Sequence, residues 1–184
     1  WHCFVCDASG NLTTFLRLLW KNSDAATTDY SELASERKLL YPETLMHWGV
    51  CRSVLTGEWL VPGYGASSGG LNQLSRYIKD SSGKHRLFAT PGVGQQLYGV
   101  NLFSKERRAI YLCEGPWDGM ALWELRAAAG QLLAGGNVLA SPGCNVFQES
   151  WLPLFADKQV ILLYDSDHPR SHKGRTIEPA GYAG

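Results

Sequence analysis

The chain has 184 residues and a mass of 20.3 kDa, with 45% hydrophobic and 18% charged residues. Those proportions exclude a disordered chain and suit one core of ordinary size plus a small appendage. No apolar run approaches the roughly 20 residues of a membrane span, so no membrane partner is expected. The 17 basic and 17 acidic side chains cancel, so net charge by itself argues for no partner.

The order opens Trp1-His2-Cys3-Phe4-Val5-Cys6, without an initiator Met or a basic leader, which speaks against a secretory signal and for an excerpt of a longer protein. Residues 1–20 read as a Cys-x-x-Cys knuckle and a helix. Asn11 or Ser9 caps it, and Leu12, Phe15, Leu16 and Leu19 fall on one face. Residues 21–35 are small and polar, as in a linker. Residues 36–70 show no clear period, apart from a short strand at Trp59-Leu60-Val61 stopped by Pro62 and a loop over 66–70. Two strands, 71–79 and 84–89, flank the turn Asp80-Ser81-Ser82-Gly83 as an antiparallel pair.

The second half changes character. Ala109–Cys113 is a short apolar run, Trp117–Ala129 a helix closed by Gly130, Asn137–Ala140 a strand, Phe147–Phe155 a short helix and Gln159–Tyr164 another apolar run. This βαβαβ alternation predicts a parallel sheet covered by helices on both faces, with ligands at the carboxyl ends of the strands. The five cysteines are odd in number and mostly isolated, which points to a reducing compartment; Cys113 reads as a small buried hydrophobe.

Charge is unevenly spread. Residues 71–108 carry seven Lys and Arg against Asp80 and Glu106, and residues 109–167 carry seven acids against Arg126 and Lys158. A basic block beside an acidic one suits a protein that holds polyanions in one place and cations in another. Glu114 directly follows the first parallel strand, and Asp165 and Asp167 follow the third. If those strands are neighbours, three carboxylates meet at one edge, and such crowding is unfavourable unless a cation neutralises it. Oxygen ligands without His or Cys favour Mg²⁺ or Mn²⁺, which keep open positions for phosphate oxygens, so phosphoryl or nucleotidyl transfer is the expected chemistry. Asp118 lies on the same helical face as Glu114, and Gly115 and Gly143 are expected either to allow close backbone approach or simply to form turns.

The run Leu112-Cys113-Glu114-Gly115-Pro116-Trp117-Asp118-Gly119-Met120-Ala121-Leu122 resembles the first motif of TOPRIM domains, E-G-x-x-D-x-x-A-L, and Tyr164-Asp165-Ser166-Asp167 resembles their D-x-D motif. TOPRIM domains occur in DnaG-type primases, phage primase-helicases, topoisomerases and nucleases. The opening His2-Cys3-Phe4-Val5-Cys6 through Gly10 is similar to the second half of the primase zinc ribbon, with Cys3 and Cys6 as two of four zinc ligands. Residues 75–103, with Gln96-Leu97-Tyr98-Gly99, resemble the RNA-polymerase subdomain that precedes TOPRIM in primases.

The resemblance implies a TOPRIM-type α/β fold preceded by a small α+β subdomain and half of a zinc ribbon. It divides the chain into 1–20 (ribbon half and helix), 21–35 (linker), 36–108 (RNA-polymerase subdomain) and 109–184 (TOPRIM domain, cut short), with a further helix expected near Pro179-Ala180-Gly181. The implied function is template-directed synthesis of short RNA primers on single-stranded DNA from ribonucleoside triphosphates. Asp165 and Asp167 bind Mg²⁺, with Glu114 as a further ligand or as base on the 3′-hydroxyl. Asp118 organises the Glu114 loop, and Arg76, Lys79, Lys84 and Arg86 contact template or nucleotide phosphates. Zn²⁺ belongs to the full-length protein, a replicative helicase is the expected partner, and the compartment is the cytoplasm of a bacterial or phage-infected cell. The rivals are a TOPRIM nuclease using the same acids and a non-catalytic module that binds single-stranded DNA.

Overall fold

The computed structural model describes residues 1–5, 7, 9–38, 40–131, 135–165, 170–172 and 175–177. The chain begins as a tight hairpin, closed by reciprocal backbone bonds between Trp1 and Gly10. Helix α1 (Leu12–Ala26) follows, and its cap is Asn11, whose side chain accepts the Thr14 N–H at 2.9 Å. The buried stripe of α1 is Leu16, Leu19, Trp20 and Ser23, one turn later than the expected one, while Leu12 and Phe15 remain 38% exposed.

Residues 21–35 are not a linker in local structure. They complete α1 and begin helix α2 (Ser31–Arg37). The polar run misled because its key polar group is interior: Ser23 is fully buried and its hydroxyl accepts the Val54 N–H at 3.1 Å. Helix α3 (Pro42–His47) starts on Pro42, whose missing N–H costs nothing at a helix start.

Strands β1 (Cys51–Arg52), β2 (Trp59–Tyr64), β3 (Leu71–Lys79) and β4 (His85–Ala89) form an antiparallel sheet in that order. Pro62 does not stop β2. Tyr64 donates its N–H to the Leu97 carbonyl at 2.9 Å, on the edge of β2 away from β3. Alternate residues of a strand face the same edge, so the Pro62 nitrogen also faces it, past the end of the two-residue β1, where no donor is required. The β3–β4 turn is the expected one. Gly83 takes φ +78°, and Asp80 accepts from the Ser82 N–H and hydroxyl and the Lys84 N–H while pairing with Arg86 at 2.6 Å. The Ser82 hydroxyl bond leads the causes that hold the Asp80 carboxyl down at about 2.

Strands β5 (Ala109–Cys113), β6 (Asn137–Ala140) and β7 (Gln159–Leu163) form the expected parallel sheet, in the order β6-β5-β7. Helix α4 (Pro116–Ala128) ends at Gly130, φ +65°. The Gly130 and Gln131 N–H groups return to the Ala127 and Arg126 carbonyls, a Schellman closure. Helix α5 (Leu152–Phe155) follows a single 3₁₀ turn at Glu149–Trp151, shorter than the helix expected over 147–155. Arg170–His172 and Arg175–Ile177 (β8 and β9) pair as a separate small hairpin.

The segment Leu97-Tyr98 joins the two sheets, since Tyr98 and Ala140 exchange backbone bonds of 2.9 and 3.2 Å while Leu97 accepts from Tyr64. One core lies on the α4 side and gathers Leu45, Trp48, Trp59, Tyr77, Tyr98, Met120 and Val138. The other lies on the α1 side and gathers Leu16, Leu60, Leu74, Ile110, Leu112, Leu139 and Trp151. Cover on both faces holds for β5 and β6 but not for the edge strand β7, where Val160, Leu162 and Leu163 are exposed among the described residues. Among the described residues, no helix is long and apolar enough to cross a membrane.

Candidate active site

The parallel register sets the site. Cys113 pairs with Ala140 on one side and Leu163 on the other, so the chain leaves all three strands at one level. Glu114, Ser141 and Tyr164 therefore emerge together at the carboxyl edge, the end of such a sheet where ligands bind. Glu114 and Asp165 meet there: the Glu114 carboxylate accepts the Asp165 N–H at 3.2 Å. Strand β7 ends at Leu163, so Asp165 lies just beyond the sheet edge. Asp167 itself lies outside the described residues.

Asp118 occupies the first turn of α4, directly after the Gly115 cap. A Cβ at Gly115 would sit 3.1 Å from the Asp118 carboxylate, so the bare glycine leaves room for that side chain. Gly143 differs. Nothing lies near its missing Cβ, and what it supplies is φ +154°. The Asp118 carboxyl is held above its ordinary range, first by desolvation and then by the negative charges of Asp165 and Glu114, with Arg37 opposing. The three acids thus share one electrostatic field, and a cation placed among them would relieve it.

Ser141 ties the edge together. It is fully buried, and its Oγ lies 3.2 Å from the Glu114 carbonyl, 3.1 Å from the Gly143 carbonyl and 3.0 Å from the Tyr164 hydroxyl. One serine proton serves the carbonyls, so Tyr164 donates to Ser141. The Cys144 thiol also hydrogen-bonds Glu114; desolvation and that carboxylate push its pKa up.

The four basic residues do not form one group. Arg76, paired with Phe88, and Arg86, paired with Ile78, share one face of the β3–β4 ribbon, whereas Lys79 and its partner His85 share the other face with Tyr77. Arg86 is paired with Asp80, and Arg76 reaches Glu58 at 3.4 Å. Lys84 lies in the exposed turn.

The Tyr77 face leads to the acids. The Tyr77 ring packs edge-on against Trp117 at 5.0 Å, and the Arg37 guanidinium lies 4.2 Å over Trp117 and 4.9 Å over Tyr77. Burial lowers the Arg37 pKa, opposed by the charges of Tyr77, Glu36 and Asp118. The Arg37 Nε is buried without a partner among the described residues. Glu36 accepts from the Tyr77 hydroxyl at 2.6 Å and pairs with His85, fixing the ring that carries Arg37. Sequence reasoning passed over Arg37, because nothing in the polar run Ser35-Glu36-Arg37-Lys38 announces it.

No family model matches the chain, and no curated protein matches it by sequence. Solved structures do match. The DnaG catalytic core superposes with a TM-score of 0.58 at 17% identity, over 85% of this chain and 61% of that one. The zinc-binding and RNA polymerase domains of the Aquifex aeolicus primase superpose with a TM-score of 0.56 at 17% identity, over 85% of this chain and 47% of that one. This chain folds like a DnaG-type primase core. It spans about half to three fifths of the length of those primase structures. The antiparallel sheet precedes the parallel one in chain order, as the resemblance implied.

The donors at the carboxyl edge are carboxylate oxygens with one thiol, a set suited to a hard divalent cation. Among the described residues, no three His, Cys, Asp or Glu side chains are gathered tightly enough to cage an ion. The Glu114 carboxylate meets the Asp165 backbone N–H and Asp118 lies in the field of both, so carboxyl-bearing residues share this edge without a closed cage. At the N-terminus Cys6 lies outside the described residues, as does the helix expected near Pro179. Cys3 is half-buried in the opening hairpin.

Proposed function

We propose that this chain carries the polymerising core of a DNA primase, making short RNA primers on single-stranded DNA by metal-dependent nucleotidyl transfer. Residues 109–184 are read as part of a TOPRIM domain, 36–108 as the RNA-polymerase subdomain, and 1–20 as half of a zinc ribbon whose Cys3 and Cys6 are two of the four zinc ligands. The observation that carries the reading is the meeting of Glu114 and Asp165, with Asp118 alongside, at the carboxyl edge of a parallel sheet in a primase-like fold.

Glu114, Asp165 and Asp167 are the residues to hold Mg²⁺ or Mn²⁺, which when bound supplies a Lewis acid for the α-phosphate and the leaving pyrophosphate. Glu114 is either a ligand or the group that takes the proton of the attacking 3′-hydroxyl. Asp118 keeps the Glu114 loop in place from the first turn of α4. Arg37, clamped on Trp117 and Tyr77, presents a fixed guanidinium to a triphosphate arriving at this edge. Lys79 is on that same face of the ribbon, and Lys84 extends from its tip; Arg76 and Arg86 must leave Glu58 and Asp80 to touch a strand. A replicative helicase is the partner this reading implies.

Incubation with labelled ribonucleotides, a single-stranded template and Mg²⁺ tests it. The expected product is short RNA. Nicked DNA instead would identify a nuclease using the same acids. Salt-sensitive binding of single-stranded DNA without any metal-dependent product would identify a non-catalytic module.

A further inference from the structure

The basic block retains charge that neither the acids nor the ribbon uses. Arg76 and Arg86 are paired with carboxylates, but Lys105, Arg107 and Arg108 are not, among the described residues. These three precede β5, at the amino edge of the parallel sheet. That edge is about 17 Å from the Glu114 edge at the rise of a five-residue strand. Lys158 joins them, because its ammonium donates to the Lys105 carbonyl at 2.5 Å and the Gln159 N–H to the Arg108 carbonyl at 2.9 Å.

A cleft of about 550 Å³ opens at this place, lined by Ser104, Arg107, Arg108, Gly135 and Gly136, with the one acid Glu106 also in its lining. Gly136 must stay bare: its φ is +115°, and a Cβ there would lie 2.8 Å from the Ala109 carbonyl. Arg107 is half-buried and lies across the cleft, 3.4 Å from the Gly136 carbonyl, while Arg108 is exposed on the rim beside Glu106. Neither guanidinium has a carboxylate partner among the described residues, and a bidentate oxyanion is the group that matches their planar donors. Among the described residues no aromatic ring lines the cleft, so its lining suits phosphate groups more than stacked bases.

We propose that this cleft is a second anion site, at the sheet edge opposite the carboxylates, which takes a run of phosphate groups through Arg107 and Arg108 with Lys105 and Lys158 adding field. The phosphates are those of a nucleic-acid strand or of a free oligophosphate. The site is independent of the polymerising reading, because it needs neither metal nor Glu114.

The test uses the whole chain in EDTA, which silences the acidic edge. Fluorescence anisotropy with a short oligo(dT) and thermal-shift titration with tripolyphosphate are run on the unmodified chain, on Arg107→Gln/Arg108→Gln and on Arg108→Glu. The exposed Arg108→Glu is expected to melt as the unmodified chain does, so that its loss reports binding. The proposal predicts a loss of about tenfold or more for oligo(dT) in both variants, and for the double variant a salt slope shallower by roughly 1.4. Unchanged oligo(dT) affinity with lost tripolyphosphate protection assigns the site to free oligophosphates. Unchanged binding of both probes in both variants overturns it.

Discussion

Glu114→Gln and Asp165→Asn should each lower metal-dependent ribonucleotide transfer by on the order of a thousandfold, the scale of several kcal/mol of transition-state stabilisation. The argument is one of charge without shape. Gln keeps an oxygen to accept the Asp165 N–H that Glu114 now receives at 3.2 Å, so the connection between the ends of β5 and β7 survives. Both changes remove negative charge from the field that raises the Asp118 pKa, so repulsion in the folded state falls. Melting temperatures should therefore stay level or rise slightly while product disappears. Primer yields equal to those of the unmodified chain would remove Glu114 and Asp165 from the chemistry. Arg37→Lys is a weaker change of the same kind, because Lys keeps the charge and loses the planar stack on Trp117 and Tyr77.

The largest effect on stability is expected at Trp48. This side chain is 1% exposed, and its ring occupies the space left by two glycines, where a Cβ would come within 2.9 Å at Gly99 and 2.7 Å at Gly119. Gly99 follows the segment that joins the sheets, and Gly119 lies in α4, so one indole wedges the end of α3 against the parallel layer. The indole N–H has no hydrogen-bond partner among the described residues, so truncation loses packing and no bond. Trp48→Ala should cost about 3–5 kcal/mol, a large share of the 5–15 kcal/mol typical of a domain. Urea unfolding should show a much lower midpoint at a similar slope. A midpoint within error of the unmodified chain would mean that the two layers do not depend on this wedge.

How much was legible from sequence followed element length and burial. The βαβαβ half was readable because its strands are apolar runs and α4 is long enough to show its period and its Gly130 stop. The β3–β4 hairpin was readable from Asp80 and Gly83, which carry the turn. Helices of seven and six residues and a strand of two, α2, α3 and β1, are too short to show any period. Pro62 misled because its tolerance depends on where β1 ends, a tertiary fact.

The site divides in the same way. Glu114 and Asp165 were placed by the rule for strand ends, and the register of β5 with β7 brought them together. Naming Arg76 and Lys79 together passed over strand alternation: residues 76 and 79 are three apart and so face opposite sides of β3. Arg37, Ser141 and Cys144 act through neighbours distant in sequence, Trp117, Tyr164 and Glu114 respectively, and no local pattern marks them.

Mn²⁺ binding followed by electron paramagnetic resonance, on the unmodified chain and on Glu114→Gln, reaches the carboxylate edge without relying on turnover. The account predicts a saturable Mn²⁺ site in the unmodified chain that weakens by roughly tenfold or more in the variant. Equal Mn²⁺ affinity in the two proteins, or no saturable site in either, would contradict it.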